Sequence, residues 1–204
     1  MKSTADVMAH LAGGNERQQD AYRVLQDSKV MMNLAAFQPY PAGTVPIDID
    51  IPGSDLDILC EAHDLDAFAI HIHRNLGNMP HFYCNRGIRN VDGTSYVTCN
   101  FQVDHWPIEI FAQAVPIQQQ NAYLHMKVEW ELLQLWGSEG HREIRRLKRS
   151  GLKTEPAFAQ VLGLQGDPYV EMLHLATWSH IELRDWAHKQ PSFFQFSSMI
   201  NESS

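Results

Sequence analysis

The sequence has few cysteines, a shortage of basic residues and no long apolar segment, and each shortage argues against a class of protein. Three cysteines occur in 204 residues, and no two of them form a Cys-x-x-Cys pair. This argues against a disulfide framework or a zinc knuckle and predicts reduced, buried thiols. No stretch approaches the ~20 apolar residues of a transmembrane helix. The amino-terminal segment does not resemble a signal peptide, so we expect a cytoplasmic protein that does not bind membranes.

The charge of the chain is acidic overall but unevenly distributed. Lysine and arginine number 16 against 24 aspartate and glutamate, which gives a net charge of -8. This excess argues against a long nucleic-acid footprint. Residues 142–153, here called the basic strip, hold six basic residues and one acid, a local charge of +5. The strip has two interpretations, the solvated face of a helix or a surface that binds phosphates or an RNA backbone.

Hydrophobic periodicity predicts a mixed order of elements. Apolar residues at helical spacing indicate a helix over residues 65–76, and alternation indicates extended segments over 44–51 and 55–60. Asp92-Gly93 predicts a hairpin between strands at 82–90 and 94–103, followed by a third strand at 107–113. The other predicted segments are helical: 15–27, 28–37, 119–136, 138–151, one that Thr154 caps, 168–177 and 179–188.

These elements predict an α/β (α+β) fold, in which a small mixed β-sheet is flanked by helices and followed by a C-terminal helical subregion. The core would occupy residues 1–116 and the helical subregion residues 117–204. We expect the two to pack together as one compact domain of ordinary size.

Three carboxylates in apolar surroundings form the most informative pattern. Asp55 and Asp57 are two residues apart in a predicted strand, so they point to the same face. Two buried carboxylates on one face repel each other and require a neutralising partner. Glu109 stands alone among the apolar residues of a later strand. Three acids from two strands can hold two Mg²⁺ ions, whereas the alternative interpretation is a solvated polar face.

The spacing of these acids resembles a known signature. Gly43-Thr44 is followed by Ser54-Asp55-Leu56-Asp57 and later by Glu109, a pattern similar to that of the DNA polymerase beta-like nucleotidyltransferase superfamily. Further motifs resemble a narrower, uncharacterised bacterial family of unknown function within it. These motifs are Gln120-Asn121-Ala122-Tyr123, His125-Met126, residues 152–159, Leu162-Gly163-Leu164 and Gly166-Asp167-Pro168-Tyr169.

The resemblance implies an α/β nucleotidyltransferase-like core and a site with specific roles. Asp55, Asp57 and Glu109 would be catalytic and hold two Mg²⁺ ions, while Gly43 and Thr44 would approach a nucleoside triphosphate. Ser54, in the same signature, and Lys153, in the basic strip, are also predicted nucleotide contacts.

The implied reaction is transfer of a nucleoside monophosphate from the triphosphate to an unknown hydroxyl acceptor (small molecule, protein or RNA), with release of pyrophosphate. Two departures from the superfamily pattern favour an alternative. Pro46-Ile47 replaces a small residue and an arginine, and the third acid is glutamate instead of aspartate. The alternative is an inactive nucleotide-binding or protein-interaction module, including a component of a toxin–antitoxin pair.

Overall fold

The computed structural model describes residues 3–89 and 93–190, which fall into two units. Unit 1 contains residues up to Pro46 and Pro52–Tyr123, and unit 2 contains Ile47–Ile51 and the chain from Leu124 onward. The helices are α1 (Thr4–Ala12), α2 (Glu16–Asp27), α3 (Val30–Asn33), α4 (Leu65–Leu76), α5 (Asn121–Arg149), α6 (Thr154–Leu162), α7 (Pro168–Ala176) and α8 (His180–Ala187). The strands are β1 (Tyr40–Ala42), β2 (Leu56–Glu61), β3 (Tyr83–Ile88), β4 (Ser95–Val103) and β5 (Trp106–Gln113).

The predicted fold class is confirmed, because unit 1 is built on a five-stranded mixed sheet accompanied by helices. The strand order is β1-β2-β5-β4-β3, in which β2 and β5 are parallel and the other neighbours are antiparallel. One face of the three central strands is fully apolar and at most 4% exposed. Its members are Leu56, Ile58, Cys60, Val97, Cys99, Phe101, Ile108, Ile110 and Ala112.

Alternation along the strands sends polar residues to the opposite face of the sheet. Asp57, Asn100 and Glu109 belong to this second face and are each half-buried. The sheet therefore has a hydrophobic core on one face and, around Asp57 and Glu109, half-buried polar side chains on the other, where charged chemistry is possible.

Unit 2 is helical within its described residues. Helix α5 is interrupted at Gly137, whose φ of 62° and ψ of -153° are not helical, so the two predicted helices on either side of this glycine are confirmed. Trp136 stacks on Phe158 with ring centroids 5.6 Å apart. Asp167 caps α7 and Ser179 caps α8, as their sequences predict.

Three predictions about local structure are wrong. Residues 44–48 form turns instead of a strand, although Val45, Ile47 and Ile49 are completely buried. Alternating apolar residues can be buried without a neighbouring strand, and here no strand pairs with them. The cap of α6 is Lys153 without a side-chain hydrogen bond, and Thr154 is already inside the helix. The segment predicted as one helix over 28–37 contains only the short helix α3 and a 3-10 turn.

The cysteines also differ from expectation. Cys60 is a buried free thiol as predicted, but Cys84 and Cys99 form a disulfide. The two residues are 15 positions apart in sequence, yet the β3–β4 pairing places them directly opposite, with their Cα atoms 4.1 Å apart. Antiparallel register brings them together, which sequence spacing alone does not reveal. Asp92 of the confirmed hairpin lies outside the described residues.

Candidate functional site

Two of the three predicted carboxylates occupy adjacent positions in the sheet of unit 1. Asp57 of β2 is the register partner of Glu109 of β5, so both project from the same face. Ala42 pairs with Asp57 on one side, and Asn100 pairs with Glu109 on the other. The prediction that Asp55 is a buried residue of the strand is wrong, because it lies in the loop just before β2 and is exposed. Asn100 was not among the predicted site residues, because its place beside Glu109 depends on the β4–β5 register.

Gly43 brings the backbone directly against this row of side chains. It follows β1 with a φ of 77°, a conformation that favours glycine. A Cβ atom at this position would lie 1.9 Å from Oδ2 of Asp57, far too close for any side chain. The chain therefore needs glycine here for both its conformation and its close approach to the carboxylate. Thr44, the next residue after Gly43, and Ser54, the residue before Asp55, are both half-buried.

Glu109 has an electrostatic environment that opposes its ionisation. Burial raises the pKa of Glu109 above its ordinary value, and the negative charge of Asp55 raises it further. A hydrogen bond from Asn100 acts in the opposite direction and favours the carboxylate. A carboxylate destabilised by burial and by a neighbouring like charge gains more than an exposed one from a nearby cation.

The fit of these acids to Mg²⁺ lies in their chemistry. Carboxylate oxygens are the hard donors that Mg²⁺ prefers, and Glu109 lies close enough to Asp55 to feel its charge. Within residues 3–89 and 93–190, however, no three His, Cys, Asp or Glu side chains converge in a group that could hold a metal ion. The described site therefore offers suitable donors without a preformed cage.

Unit 2 contains a separate cluster of buried ionisable side chains. Nδ1 of His125 lies 3.1 Å from Oε1 of Glu155, and Nε2 lies 3.0 Å from the carbonyl oxygen of Tyr169. Ionised Glu155 and the carbonyl can only accept, so both imidazole nitrogens donate and His125 is charged. The pKa of His125 is accordingly raised despite its burial. This contact joins two of the family-like motifs, His125-Met126 and the segment around Glu155.

Most of the basic strip has partners within unit 2. Arg142 pairs with Glu139, Arg145 with Asp48, and Arg146 with Glu143. Lys148 is buried, and its Nζ donates to the carbonyl oxygen of Ile49 at 2.8 Å. Arg149 and Lys153 are exposed. Arg145 and Lys148 therefore have structural contacts, whereas the side chains of the other four cations of the strip remain exposed. Binding of phosphates or an RNA backbone by the strip stays a prediction.

A match to a protein-family profile identifies the family of the chain. The profile of DUF4269, a domain of unknown function, matches residues 23–175. The chain belongs to the DUF4269 family. The narrow, uncharacterised family predicted from the motifs is thereby confirmed. A comparison with functionally curated proteins gives no match.

Solved structures with a similar arrangement are polymerases. The Cid1 poly(U) polymerase with Mg and 3'-dATP bound has a TM-score of 0.49 at 11% identity, covering 84% of this chain and 53% of that one. The polymerase core of TRAMP, an RNA surveillance complex, has a TM-score of 0.39 at 13% identity, with coverage of 94% and 62%. The GLD-2/RNP-8 complex has a TM-score of 0.40 at 12% identity, with coverage of 84% and 63%.

This chain spans a little over half the length of the polymerase chains that it resembles. All three TM-scores are below 0.5, and the function of the DUF4269 chain is therefore argued from its own residues.

The helices of the structure can be compared with the length and hydropathy that a membrane span requires. Across the helices of residues 3–89 and 93–190, none is both long and apolar enough to cross a membrane. A cytoplasmic location stays a prediction.

Proposed function

We propose that this DUF4269 protein is a Mg²⁺-dependent nucleotidyltransferase. The observation that carries the proposal is the pairing of Asp57 with Glu109 on parallel strands, with the backbone of Gly43 against the Asp57 carboxylate. This arrangement supplies acidic oxygens next to a turn whose backbone can approach phosphates. Asp55, Asp57 and Glu109 would hold the metal, and Mg²⁺ when bound would offset the charge of the triphosphate and of the leaving pyrophosphate.

The residues of unit 1 would divide the remaining work. Gly43 and Thr44 would bind the terminal phosphates through a backbone N–H and a hydroxyl, and Ser54 would add a second hydroxyl. The acceptor oxygen would attack the α-phosphorus while the bond to the bridging β-phosphate oxygen breaks. Glu109 would bind the metal and help to deprotonate or orient the acceptor hydroxyl. Lys153 stays a predicted nucleotide contact.

The experiment measures nucleotide binding and turnover separately. Calorimetry with Mg²⁺ and each nucleoside triphosphate should show binding, and pyrophosphate release should follow when small-molecule, protein and RNA acceptors are offered. Asp55→Asn combined with Asp57→Asn should remove both signals. Asp104→Asn is a matched control, because it makes the same change in an exposed turn of unit 1 whose φ of 53° asparagine tolerates. Failure of the wild-type protein to bind any Mg²⁺-nucleotide would refute the proposal.

A second candidate is a nucleotide-binding module without turnover. It is favoured by the absence of a preformed three-acid cage among the described residues and by Pro46-Ile47 in place of the superfamily's arginine. This candidate expects tight nucleotide binding without pyrophosphate from any acceptor. Pyrophosphate release that disappears in the Asp55→Asn, Asp57→Asn variant would exclude it.

A further inference from the structure

The turn segment after Gly43 needs hydrogen-bond donors that the sheet does not supply. Residues 44–48 form turns without a strand partner, and Val45 is completely buried. Buried backbone carbonyls are almost always paired, so another group must donate to them. In unit 1 this group is the side chain of Gln18, whose Nε2 lies 3.0 Å from the oxygen of Val45 and 3.1 Å from the oxygen of Pro46.

The orientation of the Gln18 amide is determined by its surroundings. Its Oε1 accepts the backbone N–H of Asn15 at 3.1 Å, while Nε2 faces two carbonyl oxygens. The flipped amide would place an oxygen against both carbonyls and a donor against an N–H, so only one orientation is satisfied. Gln18 is 3% exposed. Solvent therefore does not readily replace the amide at these two carbonyls.

Gly14 leaves the space that this side chain occupies. A Cβ atom on Gly14 would lie 2.1 Å from Oε1 of Gln18 and 2.9 Å from its Cδ. The start of helix α2 is thus shaped around the amide. Gln18 is also the third residue of α2 and completes a capping box with Asn15. The amide is anchored to the helix on one side and to the turn on the other.

We propose that Gln18 is a positioning residue for the site loop, defined as residues 43–46. The inference rests on the proposed function, in which this loop binds phosphates. The loop is confined between the Asp57 carboxylate, which Gly43 approaches, and the Gln18 amide, which holds the carbonyls of Val45 and Pro46. Without that amide the two carbonyls need other donors, and the loop moves toward solvent. Phosphate binding should weaken more than the chemical step.

The test compares Gln18→Met with Gln19→Met. Methionine matches glutamine in size without donating a hydrogen bond. Gln19 is the next residue of α2, is exposed, and donates to the carbonyl of Gly14. Gln18→Met should raise the KM for the Mg²⁺-nucleotide by about tenfold or more with a much smaller change in kcat. It should also speed hydrogen exchange at the amides of Gly43, Thr44 and Val45, and Gln19→Met should do neither.

If Gln18→Met fails to fold, a second variant can test the same contact. Gly14→Ala retains Gln18 but displaces its amide, so it should produce the same exchange pattern and a smaller rise in KM. Unchanged exchange at residues 43–45 in every folded Gln18 or Gly14 variant would overturn the inference. If exchange at residues 43–45 is faster in the variants but the wild-type protein binds no nucleotide, the anchoring by Gln18 is supported and the proposed function is refuted.

Discussion

The two units place their buried carboxylates in opposite surroundings. In unit 1, burial and the charge of Asp55 both raise the pKa of Glu109. In unit 2, the contact with His125 lowers the pKa of Glu155 although burial alone would raise it. Glu155 thus gains its counter-charge from the fold, whereas Glu109 gains repulsion from its acidic neighbour. A buried glutamate is therefore structural where a basic residue of the chain neutralises its charge, as in Glu155. Where no basic residue does so, as in Glu109, the glutamate is a candidate for binding a cation.

Unit 2 also contains one acid that resembles Glu109 in environment. The pKa of Glu129 is raised to about 8, because burial and the charge of Glu155 outweigh the opposing charges of His125 and Lys148. Glu129 is 4% exposed. Two basic residues, His125 and Lys148, lower the pKa of Glu129, whereas no basic residue is among the groups that shift the pKa of Glu109. We therefore expect Glu129 to influence stability with pH rather than to bind a metal.

The largest expected effect comes from neutralising the unit 1 site. Glu109→Gln keeps the size of the side chain but removes its charge and its ability to accept a proton, so kcat should fall by about 10²-fold or more. Steady-state pyrophosphate release measures the loss. Glu61→Gln is the matched control, since Glu61 is on β2 and contacts His63 instead of the acidic pair. If Glu109→Gln retains full turnover, the contrast between the two units has no functional meaning.

The next largest effect concerns the ion pair of unit 2. His125→Ala removes the imidazole that contacts the Glu155 carboxylate, so the free energy of unfolding should fall by about 3 kcal/mol. Urea denaturation of the full chain measures this change. His180→Ala breaks an exposed His–Glu contact in the same unit and should cost less than about 1 kcal/mol. Equal losses in the two variants would show that the buried cluster is not special.

The last effect is a gradual change in stability with pH, which is small for each pH unit. The pKa of Glu129 rises on folding from 4.5 to about 8, so the folded chain keeps a proton that the unfolded chain releases between these values. Its stability therefore falls as pH rises through this range, by at most about 1.4 kcal/mol per pH unit for one proton. The pKa of His125 is also raised from 6.5, which extends the fall at higher pH.

Glu129→Gln should therefore reduce the slope of unfolding free energy between pH 6 and 8 without removing the part due to His125. Chemical denaturation at several pH values measures this slope. The lowered pKa of Glu155 acts only when pH falls below 4.5, outside this range. Glu131→Gln, on the same helix, should leave the slope unchanged. A variant of Glu129 with the wild-type slope would contradict the assignment of the proton.

Local elements were predictable where one residue pattern has one structural solution. Helix α4 has the bounds 65–76 predicted from its apolar spacing, and Asp167-Pro168 and Ser179 mark their helix starts as expected. The β3–β4 hairpin and β5 also follow from alternation and turn residues. The turn at 44–48 was not predictable, because the alternation of Val45, Ile47, Ile49 and Ile51 satisfies a strand pattern equally well.

The candidate site was predictable in part. Spacing and resemblance selected Asp55, Asp57, Glu109, Gly43 and Thr44, and the sheet places Asp57 beside Glu109. Asn100 and Gln18 carried no signal, since a lone amide in a strand or helix has many ordinary roles. The position of Asn100 depends on the β4–β5 register. That of Gln18 depends on its hydrogen bonds to Val45 and Pro46, which are 27 and 28 positions away in sequence.

Sequence by itself determined the residue types of the site, the alternation of β2 and β5 and the family to which the chain belongs. These features depend on neighbours along the chain, where backbone geometry dictates which side chains share a face. Only the tertiary structure decided that β2 pairs with β5, that Cys84 meets Cys99, and that Gln18 holds the loop after Gly43. These contacts join distant segments, so they are chosen by packing and by the need to pair buried polar groups, which act only in the folded chain.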